Sequence, residues 1–255
     1  MKVVTFNLRC VWDGDGINGF VHRMGMIWDK IQQEKPDVVS FQEVIPKTLE
    51  ALKCIMPDYL FVGQGRNKDY SGEGLYTAYR KDTIELIGSE VFWIGPEPHV
   101  PESRFEGQYN CPRIGVMAML MEKANGRVFR IYNIHLDHKV TAVRVAGMKC
   151  VWEQVQLHNA NRYLPAIILG DFNAEPDDES LAFCEQTGKL FEITPDIQYT
   201  FHDYGRGVEE RPGKKIDYIY VTEEFVPCVE KVEAWEDEMH GIYLSDHYPV
   251  AVVLA

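Results

Sequence analysis

The chain has 255 residues, 45% hydrophobic and 12% aromatic, enough to bury a substantial core without disulfides or structural metals. Its 26 basic and 39 acidic residues leave a formal charge of −13, which argues against broad adhesion to duplex nucleic acid or anionic membrane; a polyanionic substrate must be held locally, for example by a bound cation. No run reaches the roughly 18 apolar residues of a membrane span, and the opening MKVVTFNLRC reads as a strand rather than a leader, so a cytoplasmic protein is expected.

Residues 2–6 form an apolar run that stops at Asn7, and Asp13, Gly14, Asp15 and Gly16 mark a loop. From Phe20, the positions Met24, Ile27, Trp28 and Ile31 recur every three or four residues, which predicts a helix closed by Pro36. Residues 38–42 read as a buried strand ending at Glu43, and Leu49, Leu52 and Met56 form a second helical stripe. Strand-like runs follow around 60–62, 76–79 and 84–93. Residues 95–112 hold four prolines and no sustained periodicity, a long loop of the kind that usually carries function or is disordered.

Strand signals return at 114–121 and 128–134, with Asn125-Gly126 between them as a hairpin cue. Residues 140–157 fit a helix with Val143, Gly147, Cys150, Val151 and Val155 on one face, and 166–169 form a short strand running into Gly170 and Asp171. A capped helix is expected to start near Asp178 or Ser180, and strands at 216–221 and 250–254 complete the pattern. Nothing resembles a domain linker, so one domain over 1–255 with a βαβ rhythm in each half is expected. The six cysteines lack any Cys-x-x-Cys pair and are read as reduced thiols, with Cys111 exposed in the long loop and the other five in the core.

Polar residues stand where the strands end: Asn7, Glu43, Asn133 with His135 and Asp137, Asp171 with Asn173, Asp217, and Asp246 with His247. Singly, each is an ordinary turn residue; brought together, the carboxylates would repel one another unless a divalent cation sat among them, and oxygen ligands favour Mg²⁺ or Mn²⁺ over zinc. Alternation along 132–138 places Asn133, His135 and Asp137 on one face and His138 away from them, which works against a His135–His138 zinc pair. Asp171, directly after a buried strand, needs a partner or metal. Asp217 needs the same, or an ion pair with Lys214, Lys215 or Arg211. It could instead orient His247 as a general acid or base. Arg113, Arg144 and the loop residues Arg104, Phe105 and Tyr109 are candidate substrate contacts, with 199–204 as an aromatic rim.

Thr5-Phe6-Asn7, Phe41-Gln42-Glu43, Asn133-Ile134-His135-Leu136, Gly170-Asp171-Phe172-Asn173, Ile216-Asp217-Tyr218 and Ser245-Asp246-His247 occur in this order along the chain. In these six motifs the sequence resembles the endonuclease/exonuclease/phosphatase superfamily. The resemblance implies an α/β fold, a four-layer α/β/β/α sandwich of two packed mixed sheets, with a metal-dependent phosphoesterase site at one end. It also implies that Glu43, Asn7 and Asp246 hold Mg²⁺, with Mn²⁺ a substitute, and that Asp171 and Asn173 position the attacking water and the phosphate. His247, oriented by Asp217, would activate water or stabilise the phosphorane, with His135 acting opposite it.

The two histidines are more like the deadenylase, sphingomyelinase and deoxyribonuclease branches than the repair endonucleases. The acidic charge points to a short substrate: a nucleotide end or single strand of nucleic acid first, or else a small-molecule or lipid head-group ester. A noncatalytic binding module of the same fold is the competing class, disfavoured because every expected acidic and histidine position is filled.

Overall fold

The protein is described from a computed structural model covering residues 1–206 and 213–255. Strand β1 (Lys2–Asn7) is followed by helix α1 (Phe20–Glu34), β2 (Val38–Val44), α2 (Pro46–Ile55), β3 (Tyr59–Gly65), β4 (Gly74–Arg80) and β5 (Ile84–Trp93). Then come β6 (Ile114–Glu122), β7 (Val128–His135), α3 (Thr141–Asn159), β8 (Ala166–Asp171), α4 (Glu179–Gln186) and β9 (Phe191–Glu192). The chain finishes with β10 (Asp217–Val221), β11 (Val229–Ala234), β12 (Glu238–Met239), β13 (Ile242–Tyr243) and β14 (Val250–Leu254).

Two six-stranded sheets form, ordered β11-β14-β1-β2-β4-β3 and β5-β6-β7-β8-β10-β9. Each is mixed. In the first, α1 returns the chain so that β1 and β2 run parallel; in the second, α3 does the same for β7 and β8, and the remaining pairs are antiparallel.

Alternation along the strands sorts the core into layers. Val3, Val38, Val250 and Val252 of the first sheet meet Ile131, Ile167, Leu169 and Ile219 of the second in the layer between them. The intervening residues point outward: Val4, Val39 and Phe41 onto Ile27 and Ile31 of α1 and Leu49 and Leu52 of α2, and Tyr132, Ile134 and Ile168 onto Met148, Val151 and Val155 of α3 and Leu181 of α4. These are the four layers expected from the sequence. Strands covered on both faces have no polar face to show, which is why they read as continuous apolar runs.

The inner positions change character along the strands. Val3, Thr5 and Asn7 follow one another on β1, Val38, Ser40 and Gln42 on β2, Ile131, Asn133 and His135 on β7, and Ile167, Leu169 and Asp171 on β8, all buried. The space between the sheets thus passes from aliphatic to amide to charged toward one end. Its amide layer is hydrogen-bonded across the sheets: Gln42 Nε2 donates to Asn133 Oδ1 (2.8 Å), and Asn133 Nδ2 donates to the Phe41 carbonyl (3.0 Å). Gln42 and Asn133 are therefore partnered, which removes most of their desolvation cost.

Several expectations are corrected. Trp28 is exposed, because the buried stripe of α1 runs through Phe20, Arg23, Ile27 and Ile31. Only Cys150 and Cys184 are buried; Cys54 is exposed, and Cys10, Cys111 and Cys228 are half-buried. Strand β7 ends at His135, so Asp137 does not continue its face. Its Oδ1 instead accepts from the backbone N–H groups of Lys139 (2.9 Å) and Val140 (2.8 Å), and its Oδ2 accepts from Tyr109 N (3.1 Å), pinning the 95–112 loop to the start of α3. Among the described residues no helix is long and apolar enough to cross a membrane.

Candidate active site

The topology itself gathers the strand-end residues. β1, β2, β7 and β8 all finish at the polar end, and β10 and β14, antiparallel to their neighbours, begin there. Asn7, Glu43, His135 and Asp171 therefore meet Asp217 and the Asp246-His247 pair that precedes β14. The register states this directly for one pair, since Asp217 stands opposite Asp171.

Asp171 is the centre of the set. Its Oδ2 accepts from Asn7 Nδ2 (2.9 Å) and lies 3.4 Å from His135 Nε2 and 4.0 Å from His247 Nε2. Its Oδ1 accepts from Asn173 N (2.8 Å), and Asn173, in the left-handed region, donates its side-chain amide to the Leu136 carbonyl (3.1 Å). Gly170 makes this approach feasible. It has φ 144°, and a Cβ there would stand 1.9 Å from the Ile134 carbonyl oxygen, so no other residue fits without moving β7.

Glu43 has φ 59°, where β2 shifts register against β4 between Phe41 and Val44. That break in alternation brings its carboxylate to Asn7 Nδ2 (3.2 Å) and Cys10 N (2.8 Å). Asn7 thus turns its nitrogen to both carboxylates, while its oxygen accepts from Arg9 N (3.0 Å). In this orientation it aligns the two acidic groups.

Charge follows from this crowding. Burial and the neighbouring Asp217 charge raise the Asp171 carboxyl to about 7. Burial and the Glu43 charge likewise raise Asp246, while Glu43, although burial opposes it, is held low by the Cys10 N–H, His247 and Asn7. His247 Nδ1 lies 2.8 Å from Asp217 Oδ2; burial disfavours its charged form, but Asp217, Asp246 and Asp171 together raise it to about 10. His135 goes the other way: burial and the nearby Arg113 and Arg66 keep it neutral.

Lys214 and Lys215 pair with Glu175 and Glu192, leaving His247 as the partner of Asp217; Arg211 lies outside the described residues. The fit to a divalent cation is good. Glu43, His135 and Asp171 each offer a ligand atom within 4.8 Å of one another, Asp246 faces the same space, and the raised carboxyls mark negative charge short of a counter-ion. An oxygen-rich set of this kind suits a hard cation.

These groups form the floor of a cleft of about 780 Å³. Tyr109 and Asn110 of the long loop line one side, and Phe201, whose ring meets His247 edge-on at 5.0 Å, lines another. Arg113 reaches the cleft, buried, with one guanidinium nitrogen 3.2 Å from His138 Nδ1, Nε without a partner, and no ion pair among the described residues. Arg144 does not reach it. It is buried against Asp178 and also donates to the Asp137 carbonyl (3.3 Å), tying α3 to the N-terminus of α4.

Sequence reasoning missed Arg9, Arg66, Lys139 and Lys214, which also line the cleft. Only Arg9 carried a signal, standing two residues beyond the strand end at Asn7; the others come from loops whose convergence leaves no local pattern. Arg104 is exposed at the loop surface, and Phe105 packs against the outer core of the second sheet.

Residues 4–247 match the sequence model of the Endonuclease/Exonuclease/phosphatase family. The chain belongs to that family. Its members are metal-dependent phosphoesterases, so this chain is an enzyme of that class. The structure is similar to an endonuclease/exonuclease/phosphatase from Bacteroides vulgatus, at 27% identity and TM-score 0.91 over 100% of this chain and 98% of that one. It is also similar to a Bacteroides thetaiotaomicron mannosyl-6-phosphatase, at 25% identity and TM-score 0.89 over 100% and 99%. The human Nocturnin catalytic domain with bound sulfate shares the fold, at 18% identity and TM-score 0.76 over 100% and 93%.

Proposed function

We propose that this family member is a Mg²⁺-dependent phosphomonoesterase of small polar phosphate esters, sugar phosphates foremost, with Mn²⁺ able to substitute. The observation that carries this reading is Arg113: a buried guanidinium beside His135 on the cleft wall, with no ion pair among the described residues. Such a cation needs an anion, and a terminal phosphate dianion supplies more charge than an internal diester. The likeness to the mannosyl-6-phosphatase supports a sugar phosphate, and the charge of −13 works against a long polyanion.

In this reading Glu43 and Asp246, with Asp171 beside them, would hold the divalent cation, which would supply positive charge to offset that of the phosphate. Asp171, ionised when a cation lies beside it and held through its other oxygen by Asn173 N, accepts a proton from the attacking water. His247, kept charged by Asp217, hydrogen-bonds the phosphoryl group and gives its proton to the departing alkoxide as the ester P–O bond breaks. Neutral His135 lies on the opposite side of Asp171 and serves the phosphate from there. The six free cysteines agree with a reducing compartment, which supports a cytoplasmic location.

A nucleotide end is the second reading, favoured by Tyr109 and Phe201 at the cleft rim, where a base has rings to stack on. The deciding experiment compares mannose 6-phosphate, glucose 6-phosphate and p-nitrophenyl phosphate with bis(p-nitrophenyl) phosphate and a short single-stranded oligonucleotide, each in Mg²⁺, Mn²⁺ or EDTA. Metal-dependent release of inorganic phosphate from the monoesters is expected. Faster cleavage of the diester or the oligonucleotide overturns the monoester reading.

A further inference from the structure

Behind Arg9 lies a second hollow, of about 250 Å³, that plays no part in the chemistry above. Trp12 and the exposed Val21 line it with the buried Phe20, and Asp13, His22 and Lys47 complete the lining. The indole is 55% exposed, an unusual position for the largest apolar side chain. It is nevertheless held in place from two sides. A Cβ on Gly14 would come within 2.7 Å of the ring, so the bare glycine lets the indole lie against the backbone. The Arg9 guanidinium carbon sits 5.3 Å from the ring centroid.

Arg9 joins this hollow to the catalytic cleft. It lines the cleft, and its Nε lies 3.1 Å from Asp15 and 3.6 Å from Asp246. Arg9 thus stands between the acidic groups of the cleft and the indole, touching both.

We infer that the Trp12 hollow is a subsite for a sugar ring in the leaving group of the phosphate ester, so that the preferred substrate is a phosphorylated oligosaccharide rather than a lone monosaccharide phosphate. The inference rests on the phosphomonoesterase reading for the position of the phosphate. A pyranose has an apolar C–H face, which an exposed indole covers, and an edge of hydroxyls. Asp13 accepts hydrogen bonds from such hydroxyls, and Lys47 and His22 donate to them. Asp13 repels the phosphates of a nucleic acid strand.

The test measures binding and turnover separately. Saturation-transfer NMR follows unphosphorylated α-mannobiose on the wild type, Trp12→Ala and Trp12→Phe, and kinetics compare 6-phosphomannobiose with p-nitrophenyl phosphate. The disaccharide should bind the wild type, weaken about tenfold in Trp12→Ala, the effect expected from losing part of a buried indole face, and be largely retained by Trp12→Phe. Likewise kcat/KM for the phosphorylated disaccharide should fall about tenfold in Trp12→Ala while p-nitrophenyl phosphate turnover stays unchanged. Trp12-independent disaccharide binding, or none, with monoester turnover intact, overturns the inference alone. Trp12-dependent binding of AMP in place of the disaccharide overturns the sugar class. Trp12-dependent disaccharide binding without any monoester hydrolysis upholds the subsite and overturns the phosphomonoesterase reading.

Discussion

His247 Nδ1 stands 2.8 Å from Asp217 Oδ2, while its Nε2 faces Asp171 Oδ2 at 4.0 Å, so one imidazole spans the two carboxylates that β8 and β10 place opposite each other. Asp217 lies behind the cleft floor, holds this ring and, through its charge, raises Asp171. The Asp217→Asn variant should fold normally, because the Asp217 N–H still donates to Thr200 Oγ1 (3.0 Å) and the amide is isosteric. Its kcat should fall about 10²–10⁴-fold, the usual worth of an acid–base group. With the carboxylate gone, less holds the imidazole charged, so the alkaline limb of the pH–rate profile should move to lower pH. A variant with wild-type kcat and an unmoved limb would remove Asp217 from the mechanism.

Metal and protons compete for Asp171. Its folded value, about 7, lies above the 3.8 of an ordinary aspartate, so its contribution to stability is fully present below about 4 and is lost as pH rises through 7. A divalent cation replaces the missing proton. Saturating Mg²⁺ should therefore raise the melting temperature more at pH 8 than at pH 5. At about 100 times its Kd the gain is about 2.7 kcal/mol, or roughly 5–10 °C for a domain of this size. Equal shifts at both pH values, read by scanning calorimetry, would contradict this arrangement.

The two arginines singled out in the sequence should separate cleanly. Arg113→Ala should lower kcat/KM for monoesters about 10–100-fold with little loss of stability, since among the described residues it has no ion pair to break. Arg144→Ala leaves Asp178 without its buried partner and should cost about 3 kcal/mol, seen as a lower melting temperature with KM unchanged. Reversal of this pattern would mean that Arg144 reaches the substrate after all.

Gly170→Ala tests the close approach of β7 and β8. The added methyl would stand 1.9 Å from the Ile134 carbonyl oxygen at a φ that side chains rarely adopt, costing on the order of 3 kcal/mol. Because Asp171 is the next residue, activity in any folded fraction should fall as well. Thermal denaturation together with a p-nitrophenyl phosphate assay measures both effects.

The amino-acid sequence by itself determined the layers and the reactive end of this protein. Strand periodicity is local: Val3, Thr5 and Asn7, or Ile167, Leu169 and Asp171, declare a strand and an inward face that turns polar at one end, because every second side chain points the same way. The acidic and histidine residues at those ends were legible for the same reason. Whether a polar side chain serves the cleft or the scaffold was decided only by the tertiary structure. Arg144 and Asp137 were read as cleft residues; Arg144 fastens α3 to α4, and Asp137 pins the long loop. Arg66, Lys139 and Lys214 gave no pattern of their own and line the cleft. A long cationic side chain has the same composition in either place, and its partner, a carboxylate far along the chain or the open cleft, exists only once the two sheets have closed on each other.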